Sequence, residues 1–231
     1  MTIGILGAMQ IEVDLLLSKL ENTRKEHISG YDYFSGLLCG QNVIIAKCGV
    51  GKVNAAVCCQ TMILTYKPDL VINTGVAGGL SKKLDIGDIA VAKDLVQHDM
   101  DTTAVGDPIG FVSTVNRLDF PCAQWAVDGI MEAVKAQPEL KGEIVRIATG
   151  DQFISQREDK VRIIELFDAD VCEMEGCAIA QVCLINETDC AVIRSISDSM
   201  DGEHHIEFAK FVGIAAQNSA NVLMRFLEGI K

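Results

Sequence analysis

Two carboxylates, Glu173 and Glu175, flank Met174 in the otherwise apolar stretch VCEMEGCAIA, residues 171–180. A charge carried into a core is costly unless it is paired or hydrogen-bonded. The pair therefore either marks an exposed joint between strand and helix, where the helix dipole favours acids, or is there for chemistry. Other acids stand where apolar runs end: Glu12 after GILGAMQI, Asp151 after EIVRIATG and Asp198 after CAVIRSIS. Carboxylates at strand ends suit acid–base work on a neutral or cationic centre.

Competing motifs fall away on inspection. Gly49-Val50-Gly51-Lys52 is no P-loop, because the first glycine would fall at Ala46 and Val53 stands where Ser or Thr must reach magnesium. Gly4-Ile5-Leu6-Gly7 lacks the third glycine of a dinucleotide fingerprint. The glycines of Thr74–Gly79 either admit a ligand close to the backbone or make a plain turn. His204-His205 has no third ligand at helical spacing, so it reads against a metal site. His98-Asp99 fits a loop hydrogen bond better than a catalytic dyad. No Gly-x-Ser-x-Gly elbow is present, which argues against a serine hydrolase.

The elements that must position these acids alternate along the chain. TIGILGA reads as a strand and IEVDLLLSKL as a helix through Val13, Leu16 and Leu20. YDYFSGLLC and NVIIAKC, separated by Gly40-Gln41, predict a hairpin. Residues 51–66 read as helical, DLVINT as a buried strand, DIAVAKDLVQ as another and 118–136 as a helix. EIVRIAT, DADVCEM and CAVIRSIS are β-rich, separated by helical segments at 157–166 and 176–185. Phe208, Phe211, Val212, Ala215, Val222, Phe226 and Ile230 mark a long C-terminal amphipathic helix. Alternation of this kind implies a mostly parallel sheet covered on both faces, mixed because of the hairpin. Residues 98–121 have loop composition, and a loop that long in a compact domain is usually functional or contacts a partner. Ligands of open α/β sheets sit beyond the carboxyl ends of the strands. That rule singles out Gly7–Glu12, Gly49–Lys52, Thr74–Gly79, Gly150–Ile154, Ser197–Asp201 and Glu173–Glu175.

Bulk properties bound the rest. The 231 residues, 49% of them hydrophobic, fit one large α/β domain or at most two small ones. A net charge of −12, spread along the chain, excludes a basic face for nucleic acid and a polybasic helix for membranes. MTIGILGAMQIEVD has no basic n-region, so a signal peptide is not expected. No stretch reaches the roughly 18 uncharged apolar residues of a membrane span. Nine cysteines without a CxxC pair read as small buried hydrophobes in a reducing cytosol.

Six motifs, GILGAMQIEV, GVGKVNA, INTGVAGG, GDQFI, EMEGCAIA and RSISD, occur in this order over nearly the whole chain. Together they resemble the 5′-methylthioadenosine/S-adenosylhomocysteine nucleosidases. The resemblance implies a single domain over residues 1–231, a nucleoside phosphorylase-like three-layer α/β/α sandwich with a mixed, twisted central sheet. It also implies a cytoplasmic homodimer and hydrolysis of the adenine–ribosyl bond of a small nucleoside, with no metal and no organic cofactor. Asp198 would protonate adenine N7, Glu12 would activate water, and Arg194 would help to position it. Glu175 would grip the ribose hydroxyls, with Glu173 orienting Arg194 or the strand end. Phe153 would stack on adenine while the backbone of Ile154 reads its edge, and Ser197 would support Asp198. Met9, Val50, Met174 and Phe208 would line the sugar and alkylthio pocket, beside the Val76-Ala77-Gly78 turn.

The chain departs from many relatives in two places. Val76 replaces a serine after Thr-Gly, which removes a polar contact and a hydroxyl that a phosphorylase would use for phosphate. Thr102 and Val105 replace a more apolar, partly aromatic pair in the segment that reaches the partner subunit. A nucleoside phosphorylase is the first rival reading, although Glu12 would repel its phosphate. A hydrolase for futalosine or AMP is the second, and a non-catalytic nucleoside-binding protein the third.

Overall fold

The computed structural model describes residues 1–200 and 204–230, leaving out the side chains of residues 204–207. His204 and His205, weighed above as metal ligands, therefore have side chains outside the described residues. In chain order the elements are β1 (Thr2–Gly7), α1 (Gln10–Ser18), β2 (Glu21–Ile28), β3 (Tyr31–Leu38), β4 (Gln41–Lys47), α2 (Lys52–Tyr66), β5 (Leu70–Gly79) and β6 (Ile89–Gln97). There follow β7 (Asp119–Pro121), α3 (Gln124–Lys135), β8 (Gly142–Thr149), α4 (Arg157–Phe167), β9 (Val171–Glu173), α5 (Gly176–Ile185), β10 (Asp189–Asp198) and α6 (His204–Gly229).

The strands join one mixed sheet in the order β10-β6-β8-β9-β5-β1-β4-β3-β2, with β7 on β6. β1 lies parallel to β4 and β5, and β10 parallel to β5, whereas β10 with β6 and β5 with β9 are antiparallel. Because β10 pairs with both β5 and β6, the strands β5, β10, β6, β8 and β9 close into a ring. Helices α1, α3 and α6 pack on one side; α2 and α5 pack together on the other. Covered strands such as β1 (TIGILG) and β5 (LVINTGVAGG) are buried along nearly their whole length, as their unbroken apolar runs require.

The hairpin between β3 and β4 turns on Cys39-Gly40 rather than Gly40-Gln41. Both residues have positive φ, 51° and 78°, the geometry that lets a two-residue turn follow the strand twist. Two predicted spans shift. The helix expected over 118–136 starts at Gln124, because residues 119–121 pair with β6 and Pro121 closes that strand. The glycines after DLVINT are no turn: β5 continues to Gly79, paired with β10 and β9. Strand β2, ENTRKEHI, escaped the periodicity reading because its exposed charges look like a loop. It is the sheet edge, where charge blocks further strand pairing.

Candidate active site

Glu12 is the third residue of α1, and its Oε2 reaches back to accept the Met9 N–H at 2.8 Å. Locally this is the acid half of a capping box. Its other oxygen accepts the Val76 N–H of β5 at 3.0 Å. The approach is so close that a Cβ at Gly75 would collide with the Glu12 carboxylate, which explains the glycine. Burial raises the Glu12 pKa above the ordinary glutamate value, opposed by the nearby Arg194 charge and by backbone N–H groups of Met9, Val76 and Ala8.

Glu173 and Glu175 are both buried, so the exposed-joint reading is corrected. Glu173 accepts four donors: the N–H groups of Glu175 (3.0 Å) and Gly176 (2.7 Å) at the start of α5, the Thr149 hydroxyl, and Arg194 Nη2. Among the described residues Glu175 accepts one neutral donor, the Gly51 N–H at 2.9 Å, and its Oε2 stands 3.7 Å from Arg194 Nη2. Burial, then the neighbouring Glu173 charge, push the Glu175 carboxyl up to about 7 against the pull of Arg194. One acid of the pair is thus saturated by the fold and the other is left with capacity for a ligand.

Arg194 comes from β10 and hydrogen-bonds Glu173 and the Asn73 side-chain oxygen. Arg194 acts on Glu12 through its charge, while backbone N–H groups hold the Glu12 carboxylate. At the end of β10 the register with β5 shifts between Ile196 and Asp198, a bulge that re-aims the acid. The Ser197 hydroxyl sits between Asp198 Oδ1 (3.0 Å) and the Ala77 carbonyl (3.2 Å), and Gly78 faces the same carboxylate. Lys160 Nζ lies 3.5 Å from Asp198 Oδ2.

The loops of the strand ends are stitched to one another. Lys52 N–H donates to Asp151 Oδ1 (2.7 Å), Asp151 N–H to Asp99 Oδ2 (2.8 Å), and Lys52 Nζ to Asp99 Oδ1 (2.6 Å). Asp99 is thus bound to a lysine and serves no dyad with His98. Apolar walls complete the place. Met9 and Phe208 pack with Val76, and Phe153, half exposed, meets Phe208 edge-on at 5.7 Å. Ile154 turns its side chain into the core with Leu80 and Ile163. Val50 is 48% exposed on the Gly49–Lys52 loop, and Met174 is partly exposed between the two acids. Thr102 and Val105 stand apart: the Thr102 hydroxyl binds Asp107 at 2.8 Å, and Val105 is 81% exposed.

His98 aside, the buried charged side chains among the described residues are Glu12, Lys160, Glu173, Glu175, Arg194 and Asp198. All six gather at this one edge of the sheet, four carboxylates against two cations. A groove of about 720 Å³ between α3 and the end of α6, lined by Met1, Trp125 and Phe226, lies at the opposite, amino end of β1 and has no such convergence. Among the described residues no three His, Cys, Asp or Glu side chains group as a metal site. The sequence reading missed Lys160, Asn73 and Thr149. Lys160 alone left a trace, sharing a helix face with the apolar Ile163 and Phe167.

Residues 2–228 match the model of the phosphorylase superfamily. The chain is 38% identical over 229 residues, 99% of its length and 97% of the relative's, to the 5′-methylthioadenosine/S-adenosylhomocysteine nucleosidase of Shewanella sp. (strain MR-7). It superposes with a TM-score of 0.95, at 34% identity and 99% coverage of both chains, on the nucleosidase of that name from Neisseria meningitidis in complex with methylthio-immucillin-A. A futalosine hydrolase of Helicobacter pylori strain 26695 is similar at 33% identity and TM-score 0.94, covering 99% of this chain and 98% of its own.

Proposed function

Because the chain belongs to the phosphorylase superfamily and, within it, to the 5′-methylthioadenosine/S-adenosylhomocysteine nucleosidases, we propose that it hydrolyses the N-glycosidic bond of these two nucleosides, releasing adenine and the 5-substituted ribose. 5′-Deoxyadenosine fits the same chemistry. Asp198 gives its proton to adenine N7 so that the base leaves neutral, and Glu12 takes the proton of the attacking water. Cleavage passes through an oxocarbenium-like state, which buried carboxylates favour. Glu175, with acceptor capacity to spare, binds the ribose hydroxyls, while Glu173 and Arg194 hold that end of the site in place. Phe153 and the Ile154 backbone take the adenine.

The observation that carries this reading is the charge balance: with Asp198 set aside as the proton donor, three buried carboxylates stand against two buried cations. Such a site favours a developing sugar cation and repels phosphate, and Val76 offers no hydroxyl to an anion. The test is adenine release from methylthioadenosine with and without phosphate, with futalosine as comparison substrate. Equal rates with free 5-methylthioribose as product are expected. Strict dependence on phosphate with 5-methylthioribose-1-phosphate as product would make the protein a phosphorylase.

The whole chain acts as one domain, and as a homodimer. Supporting this, α2 and α5 are tied by reciprocal Gln60–Asn186 hydrogen bonds and present Val53, Val57, Leu64 and Ile185 outward, with Val105 also exposed. Apolar exposure on this scale suits a subunit contact. A cytoplasmic setting and a place in methionine salvage go with this reading, the former supported by nine free cysteines. In the dimer, Thr102 and Val105 reach the neighbour's alkylthio subsite. Val105 leaves that wall short of an aromatic side chain, and each buried methylene is worth only about 0.8 kcal/mol. Val105→Phe should therefore shift the ratio of kcat/KM toward methylthioadenosine over S-adenosylhomocysteine by roughly three- to tenfold. An unchanged ratio, or an active monomer, would remove Val105 from the subsite.

A further inference from the structure

Lys160 is the one buried charge of the cluster that the mechanism above leaves without a task. It projects from α4 on the face of Ile163 and Phe167 and is wholly buried. An ammonium there is tolerated only with good partners. Its Nζ donates to the Gly79 carbonyl at 3.0 Å and to the Ser199 carbonyl at 2.9 Å. These carbonyls belong to the last residue of β5 and to the residue just after β10, one on each strand just beyond the bulge that turns Asp198. The same Nζ lies 3.5 Å from Asp198 Oδ2, the oxygen that Ser197 does not hold.

We propose that Lys160 is a positioning residue for Asp198, stapling the ends of β5 and β10 around the acid and setting a cation beside the carboxylate left when its proton has gone to the adenine. This rests on the reading of Asp198 as the acid. Two hydrogen bonds to carbonyls fix the bulge, so the carboxyl keeps one orientation. The adjacent positive charge stabilises the anion as it forms, an interaction stronger in the transition state than in the substrate complex. A lysine that merely filled the core would have no such link to the reacting atoms.

The experiment compares two leaving groups. Adenine needs a proton to depart; 4-nitrophenolate, carried on the same 5-methylthioribosyl sugar, does not. Lys160→Met is expected to lower kcat for methylthioadenosine at least tenfold with KM changed less than threefold, and to leave hydrolysis of the 4-nitrophenyl riboside within threefold of wild type. In an Asp198→Asn background the same change should cost less than twofold more. Lys160→Gln keeps donors for the two carbonyls without the charge and serves as the test should the methionine variant fail to fold; it should show the same selectivity for leaving group. Equal losses on both substrates, or a full additional loss beyond Asp198→Asn, would overturn the proposal while leaving the nucleosidase reading intact. A wild-type protein that releases no adenine would instead overturn that reading.

Discussion

Glu12→Gln should lower kcat by roughly two to four orders of magnitude, the scale of losing a general base, with KM within a few-fold of wild type. The amide keeps the shape of the carboxylate but cannot take a proton from water. Its NH2 end must also face one of the two N–H groups, Met9 or Val76, donor against donor, so the ordered pair of acceptor contacts is lost as well. The base works only when ionised, and burial raises its pKa. In the wild type, kcat/KM should therefore fall with decreasing pH from a point above the ordinary glutamate value of about 4.3. Glu175, pushed up to about 7, adds to that fall as its protonation weakens the grip on the ribose. A pH profile of kcat/KM reads both groups. A glutamine variant with near wild-type turnover would take Glu12 out of the mechanism.

The second large effect is at Asp198. Asp198→Asn is expected to reduce kcat at least about a hundredfold, again the scale of acid catalysis, while an unreactive nucleoside analogue still binds. Asparagine can hydrogen-bond to Ser197 and to N7 but has no proton to give up. The loss should fall in the chemical step, so single-turnover rates, which separate chemistry from product release, are the decisive measurement. Loss of analogue binding together with kcat would assign Asp198 to adenine recognition alone.

Much of this arrangement is legible in the amino-acid order alone. The strand ends carrying Glu12, Glu175 and Asp198 can be located because buried parallel strands leave unbroken apolar runs and the acids interrupt them. What stays hidden has physical causes. Strand β2 is charged because it is an edge, and charge reads as loop. The β5 glycines look like a turn because glycine serves turns, yet here they make room for the Glu12 and Asp198 carboxylates. Glu173 and Glu175 cannot be told apart by spacing, since the difference lies in donors contributed by Thr149, Arg194 and Gly51, distant in sequence. Lys160 sits among Arg157, Glu158, Asp159 and Arg162 and so resembles a solvated helix face. Asn73 reads as an ordinary polar residue in a strand, and only the fold brings Arg194 to it.

The Glu173 carboxylate bears on the history of this lineage. It holds the start of α5 and Arg194 at once, so a substitution there disturbs folding and chemistry in a single step and is exposed to selection on both. Among the described residues the segment with Thr102 and Val105 shares none of those bonds; the Thr102 hydroxyl is tied to Asp107 within the same loop. Changes far apart and without common partners act nearly independently on stability. Substitutions in that segment are thus expected to leave folding nearly untouched, whereas substitutions at Glu173 are not.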